Sequence, residues 1–297
     1  MNNGIVIRAL HTMDEMYAAV ELQKIHWGRD DESLVPAHMM FSLAQYGGHV
    51  LGAYDGEKLV GALVGFLGTH NEEPERPAMA NLQIVSKRMV VDPAYRGQGI
   101  GYRLKLAQRE FAQRQGVRLA VWTFDPLMSA NAHLNIRKLG GISKRYLKDY
   151  YGTAERGGLA TLGSSDRLLV EWWVTHRRVE ERLTGTRGDL KLAAYLQADT
   201  PIVNPTQRDE DGVVRPGTRQ NPLRGTLALI EIPLDYSDLV MRDEALARQW
   251  RAHSRQVFMS TMAEGFIVTD FLHETHEGRE RAFYVMSFNV GFDFRLN

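Results

Sequence analysis

The stretch Val91-Asp92-Pro93-Ala94-Tyr95-Arg96-Gly97-Gln98-Gly99-Ile100-Gly101 decides how this chain is read. It follows Leu82 to Val91, an apolar run with the character of a strand. It opens Ile100 to Gln115, where Ile100, Leu104, Ala107 and Phe111 recur at helical spacing. A helix N-terminus leaves backbone N–H groups without partners and carries partial positive charge. Together these bind phosphate oxygens. Glycines at 97, 99 and 101 let the backbone approach a ligand closely. The Walker pattern fails, because no Gly-Lys-Ser/Thr closes the turn. The dinucleotide spacing G-x-G-x-x-G fails too, because the glycines run G-x-G-x-G. A turn that merely joins a strand to a helix is the remaining plain reading.

Working outward from that turn, the elements alternate. Ile5 to Leu10 is strand-like, and Thr12 with Glu15 forms a capping-box pattern ahead of a helix to Trp27. A second helix is expected over Pro36 to Tyr46. Asp55-Gly56 between His49–Tyr54 and Lys58–Leu67 marks a hairpin. Asn71 to Pro77 reads as a polar loop. Beyond the turn come a buried strand, Leu119 to Phe124, and a helix, Ser129 to Leu139, closed by Gly140-Gly141. Tyr146–Tyr151 and Leu168–Val174 are read as strands, and Arg177–Leu183 as a short helix. Thr184 to Arg224 is rich in turn formers and is read as a linker or long loop. The rest predicts a strand at Thr226–Ile232, one long helix at Met241–Met262, and strands at Phe266–His273 and Arg281–Phe288. The expected organisation is a mixed, partly antiparallel α/β domain over 1–175, a linker over 176–225 and a β-α-β-β unit over 226–297.

Composition sets bounds. The 297 residues are 44% hydrophobic and 24% charged, as in ordinary globular proteins. Thirty-six basic residues balance 36 acidic ones, so neither nucleic acid nor an anionic membrane is expected as a partner. There is no cysteine, which excludes disulfides and thiolate chemistry. MNNGIVIRALH lacks the regions of a secretory signal, and no apolar run nears the roughly 18 residues of a membrane helix. The expected location is the cytoplasm. His273-Glu274-Thr275-His276 lacks the spacing of a zinc motif and is read as a hairpin turn, so no metal is expected.

The full string V-x-P-x-x-R-G-x-G-x-G resembles the acyl-CoA-binding motif of the Gcn5-related N-acetyltransferase (GNAT) superfamily, with Arg96, Gly99 and Gly101 as its core. The resemblance covers about residues 5 to 174 and implies a GNAT-like sheet with acetyl-CoA or another acyl-CoA as co-substrate. It implies that the strand before the turn splays from the next one to admit pantetheine. Met89, Val90 and Val91 would then offer backbone groups to that arm, with an N–H near Val90 polarising the thioester carbonyl. Arg96, Gly97, Gln98, Gly99, Ile100 and Gly101 would hold the pyrophosphate. The implied reaction is direct attack of an amine on the thioester.

The chain departs from the family where a tyrosine would protonate the leaving thiol, because Ile136 stands there. Tyr146 or Tyr150 from the next strand are the substitutes considered, with Tyr151 beside them. Asp125, after the strand Leu119 to Phe124, is the candidate base, and equally a turn residue beside Pro126. Asn131 and Asn135, four apart on a helix, are candidates for holding pantetheine or the acyl group. Ser86 and Arg88, two apart on a strand, are expected to share a face and to bind the substrate. The expected activity is N-acyl transfer, of acetyl or a larger acyl such as succinyl, to a small-molecule amine. A non-catalytic acyl-CoA-binding or sensing module is the rival. The C-terminal unit is expected to cover the acceptor or to form a homodimer contact.

Overall fold

The computed structural model describes residues 4–28, 33–70, 77–153, 160–210 and 212–288. The expected loop at 71–77 therefore lies, except for Pro77, outside the described residues. The chain forms two compact units. The described residues of the first lie in 4–122 and 173–175, and those of the second in 123–153, 160–172 and 176–288.

The first unit begins with β1 (Ile5–Ala9), α1 (Met13–Trp27), α2 (Ala37–Gln45), β2 (His49–Asp55), β3 (Lys58–Thr69) and β4 (Leu82–Val91). It continues with α3 (Ile100–Arg114) and the start of β5 (Leu119–Phe124). The sheet order is β1-β2-β3-β4-β5, antiparallel up to β4 and parallel between β4 and β5. Side-chain alternation sends Val50, Ala62 and Val90 into one core with Met16 and Met40 from α1 and α2. Leu51, Leu63 and Met89 go to the other face, against Ile100 and Leu104 of α3. The capping box forms as read: Thr12 Oγ1 accepts from the Glu15 N–H, and Glu15 Oε2 accepts from the Thr12 N–H. Thr12→Ala should cost about 1 kcal/mol, seen as a lower urea midpoint at unchanged slope. An unmoved midpoint would mean the box contributes nothing.

Two irregularities of β4 shape the surface around the glycine turn. Its pairing with β5 is confined to Ile84↔Ala120 and Val85↔Val121, so the strands part beyond that point. The register against β3 also slips, with Val64↔Arg88 followed by Gly65↔Ser86, which leaves Lys87 as the extra residue of a bulge. The bulge corrects the expectation that Ser86 and Arg88 share a face. Arg88 lies over the Trp27 ring at 4.5 Å on the α1 side, whereas Ser86 meets Lys105 of α3 on the other side.

The second unit contains α4 (Ser129–Ala132), which widens into a π-helical turn at His133–Lys138, then β6 (Ile142–Leu147) and β7 (Arg167–Trp173). β6 starts four residues earlier than read, because Gly140 at φ +73° ends the helix and Asp149 at φ +46° turns the chain. Next come α5 (Arg177–Leu183), α6 (Leu192–Gln197), the short pair β8 (Gln207–Arg208) and β9 (Val214–Arg215), and β10 (Leu227–Ile232). They are followed by α7 (Tyr236–Arg242), α8 (Glu244–Ala263), β11 (Phe266–His276) and β12 (Arg279–Phe288). The sheet runs β7-β6-β11-β12-β10 and is antiparallel throughout. The helix expected from Met241 is two helices, since Asp243 leaves helical geometry and caps α8 by accepting from the Leu246 N–H. The segment read as loop also supports the sheet. The Val203 N–H donates to the Leu229 carbonyl at the edge of β10, the Leu229 N–H donates to the Pro201 carbonyl, and the Asn204 side chain pairs both backbone groups of Glu231. The hairpin turn narrows to Glu277-Gly278, both at positive φ, so β11 extends through His276.

Candidate functional site

The site is built from the end of β4 outward. The Asp92 N–H donates to the Val60 carbonyl, keeping the chain in the sheet for one more residue. Its side chain then closes the turn: Oδ1 accepts from the Ala94 N–H at 3.0 Å, and Oδ2 pairs with Lys58 Nζ at 3.0 Å. Those contacts, Lys58's first, hold the Asp92 carboxyl below its ordinary pKa. Pro93–Tyr95 make one 3-10 turn, and the Tyr95 hydroxyl donates to Asp55. The turn is thus braced from β2 and β3 before it reaches the glycines.

Gly97 sits at φ +76°, and Gly99 at φ +79°, ψ 7°, where it caps α3. A glycine cap brings no side-chain acceptor, and none is present. The first intrahelical bond runs from the Arg103 N–H to the Gly99 carbonyl. The N–H groups of Ile100, Gly101 and Tyr102 are therefore outside the helical ladder. A Cβ built on Gly97 or Gly99 would meet nothing within 4 Å, so the turn is open above these amides. Ile100 and Leu104, fully buried, anchor the helix beneath them.

Arg96 and Arg88 both reach α1. An Arg96 terminal nitrogen lies 2.8 Å from His26 Nδ1, and Arg88 covers Trp27. Burial, then Arg96 and Arg88, push the His26 pKa below its ordinary value, which keeps the ring neutral and able to accept from Arg96. Met89, Val90 and Val91 pair with Leu63, Ala62 and Gly61 of β3 on one side. Their other side faces the gap left by β5, whose pairing has already ended. The expected cradle and the expected splayed strand are thus next to each other in one unit.

The remaining sequence candidates lie in the second unit. Asp125 holds Arg251 bidentately, at 2.9 and 2.6 Å, and also accepts from the Leu127 N–H. Burial would lower the Arg251 pKa, but Asp125 outweighs it and keeps the guanidinium charged. The Tyr146 hydroxyl donates to Asp166 at 2.6 Å, and burial together with that carboxylate pushes its pKa far up. Burial works to raise the Asp166 carboxyl, yet Arg255, Tyr146 and the Asp149 N–H together hold it below the usual range. Asp125 and Tyr146 are near enough to interact electrostatically. Tyr150 is 53% exposed and meets Tyr151 edge-on. Asn131 is exposed and Asn135 buried, so the two do not share one environment. The reason is the π turn, with its bond from the Leu139 N–H to the Leu134 carbonyl, which breaks the four-residue repeat. Ile136 is fully buried. Among the described residues, no three His, Cys, Asp or Glu side chains are grouped to hold a metal ion.

Residues 46–140 match the acetyltransferase (GNAT) domain family. No curated protein matches the chain. Solved structures align with it at low identity. The ribosomal-protein-S18-alanine N-acetyltransferase of Escherichia coli is 16% identical, over 58% of this chain and 95% of its own, with a TM-score of 0.44. An N-acetyltransferase of Staphylococcus aureus Mu50 is 17% identical, over 58% and 99%, with a TM-score of 0.45. Salmonella typhimurium yncA, solved with its cofactor acetyl-CoA, is 16% identical, over 59% and 97%, with a TM-score of 0.44. The segment that matches the acetyltransferase (GNAT) domain, residues 46–140, holds the glycine turn, the parted β4 and β5 and the helix between them.

Proposed function

We propose that this chain is an acyl-CoA-dependent N-acyltransferase acting on the amine of a small metabolite, an amino acid being one class. The donor carries acetyl or a larger acyl such as succinyl, and the amine attacks the thioester directly. One observation carries the reading: the unpaired amides of Ile100, Gly101 and Tyr102 stand behind a left-handed Gly99, beside the free edge of β4. The amides of Arg96 to Gly101 hold the pyrophosphate, and the backbone of Met89 to Val91 holds the pantetheine arm. Arg88 and Ser86, on opposite faces of β4, cannot grip one group together, so a joint substrate-binding role does not enter this reading.

The rival, a module that binds acyl-CoA without turning it over, draws on Ile136, an aliphatic residue where the family has its tyrosine. Two measurements separate them. Calorimetry with CoA, acetyl-CoA and succinyl-CoA should give saturable binding of all three. Thiol release with a panel of amino acids should then exceed the rate without enzyme. Binding without thiol release would favour the rival, and absence of binding would remove both. We place the reaction in the cytoplasm. Among the described residues, no helix is long and apolar enough to cross a membrane.

A further inference from the structure

In the second unit, α5 places Arg178 and Arg182 four residues apart, on one face of the helix. The chain turns back after α5 through Gly185 at φ +72°, and the Arg187 N–H donates to the Glu181 carbonyl at 3.0 Å. Arg187 is thereby held beside the end of α5. Arg137, from the π-helical turn, reaches the same place. Four guanidiniums thus gather against β11, three of them on side chains that are mostly buried.

Their partners do not balance them. Asp270 Oδ2 accepts from Arg137 at 2.7 Å and from Arg182 at 3.0 Å, while its Oδ1 takes the Phe271 N–H. The exposed Asp189 pairs with the same two arginines. Arg178 donates to the carbonyl of Thr269, the extra residue of a bulge in β11. A carbonyl supplies an acceptor but no charge. Arg187 is half-buried, and among the described residues its guanidinium has neither an ion pair nor a hydrogen bond. Glu181, the other carboxylate near it, is engaged by Arg177. Four cations therefore face two carboxylates, one of them in solvent, and a surplus of two positive charges is left.

A second feature faces the same point. Tyr195 of α6 is only 6% exposed, with its ring in an apolar cluster beside Leu229, Leu272 and Phe283. Among the described residues its hydroxyl has no hydrogen-bond partner. It is close enough to Arg178, Arg187 and Asp270 to interact with them electrostatically. A tyrosine buried to this degree ordinarily bonds its hydroxyl. A dianion with several acceptor oxygens would meet both needs: it neutralises the surplus charge and accepts from the guanidiniums and the hydroxyl. A phosphate group has that charge and that set of oxygens, and guanidinium matches it with paired N–H donors.

We propose that Arg178, Arg187 and the Tyr195 hydroxyl form a binding site for a phosphate group, carried by inorganic phosphate or by a small phosphomonoester. Arg137 and Arg182 add long-range attraction, already half-spent on Asp270. The empty site is electrostatically strained. Burial, then Arg182, push the Arg187 pKa below its ordinary value, and burial, then Arg187, push Arg178 down to about 10. Both stay protonated at neutral pH, so the site is charged where it would work. It lies within the second unit and does not depend on the acyl-CoA reading, so the failure of either leaves the other standing.

The test is calorimetry of the full chain with inorganic phosphate and with glycerol 3-phosphate, in chloride buffer at constant ionic strength, beside thermal melts. Saturable binding is expected, and the midpoint should rise by roughly 5–10 °C at a hundred times the Kd. Tighter binding of the ester would assign the site to a phosphorylated metabolite, and tighter binding of phosphate to the free ion. Arg187→Gln should weaken binding at least about tenfold. Tyr195→Phe, which keeps the packing, should weaken it about three- to tenfold. In chloride alone Arg187→Gln should melt no lower than wild type, because it relieves repulsion. Gly99→Glu should keep phosphate binding, since the glycine turn is not this site. No saturable binding of either probe overturns the proposal, and so does wild-type affinity in Arg187→Gln. Binding lost in Gly99→Glu but kept in Arg187→Gln would put the ion in the glycine turn and overturn it too. A lower midpoint of Arg187→Gln in chloride, with an unchanged response to phosphate, would make Arg187 a packing residue only.

Discussion

Gly99→Glu is expected to abolish CoA binding, weakening it at least about a hundredfold, while the chain still folds. Two effects act at this position. The first is charge: a carboxylate at the mouth of the cradle repels the pyrophosphate it should receive, and like charges brought together cost several kcal/mol, or about a hundredfold or more in affinity. The second is backbone strain, since Gly99 lies at φ +79° and another residue there costs about 1–2 kcal/mol. Space is not an obstacle, because a Cβ at this position meets nothing within 4 Å. Gly99→Asn separates the effects. Asparagine tolerates the left-handed region and carries no charge, so it should bind CoA within about tenfold of wild type. Calorimetry with CoA, alongside a thermal melt of each variant, makes the comparison. Wild-type affinity in a folded Gly99→Glu protein would show that the cofactor binds elsewhere.

That the cradle was legible at all stems from its chemistry. Left-handed turns, free amides and a helix start are local events, and glycine and proline mark them in the sequence. Thr12 with Glu15, and Asp55-Gly56 at the β2–β3 hairpin, were legible for the same reason. What the sequence hid depends on contacts between distant residues. Lys105 and Gln108 lie on the buried stripe of α3, but a lysine beside Leu104 looks like the edge of a solvated face until β4 and β5 are placed over it. Spacing did carry one signal: Ile100, Leu104, Lys105 and Gln108 fit the i, i+4, i+5, i+8 pattern better than Ala107 and Phe111, which are only half-buried.

Errors of register had a common origin. Strand and helix periods are 2 and 3.6 only while the ladder is regular. The extra residue Lys87 in β4 reverses the facing of Ser86, and the π turn after Ala132 separates Asn131 from Asn135. Neither irregularity has a sequence mark as plain as glycine. The break between α7 and α8 had one, since Asp243 is a good cap, but it sits among residues that all favour helix. The segment after Leu183 misleads in another way. Asn204 replaces a strand neighbour with a side-chain amide, so the edge of β10 is covered by a stretch whose composition reads as loop.

Asp125 gives the largest expected change in stability. Its two oxygens hold Arg251, and both side chains are mostly removed from water. Removing one partner of such a pair leaves the other charge buried without compensation, at a cost of about 3–5 kcal/mol. Asp125→Ala should therefore lower the thermal midpoint by roughly 6–20 °C, at about 2–4 °C for each kcal/mol in a protein of this size. Asp125→Asn keeps one oxygen that can accept from the Leu127 N–H and from one Arg251 nitrogen, but it removes the compensating charge, so it should also lower the midpoint, by less than Asp125→Ala. Asp125→Leu with Arg251→Met removes both charges, and the pair should recover most of the loss of Asp125→Ala, because apolar replacement of a buried ion pair is often neutral. The same variants decide what Asp125 does in turnover. A base withdrawn from the reaction would show in Asp125→Asn as lost thiol release at a temperature well below its midpoint, where the protein is still folded. With both carboxylate oxygens already engaged by Arg251, we expect the reverse: thiol release within about tenfold of wild type in Asp125→Asn, and a steep loss of stability in Asp125→Ala. A midpoint that does not move in Asp125→Ala would mean that Arg251 finds another partner and that this ion pair is not what holds the second unit together.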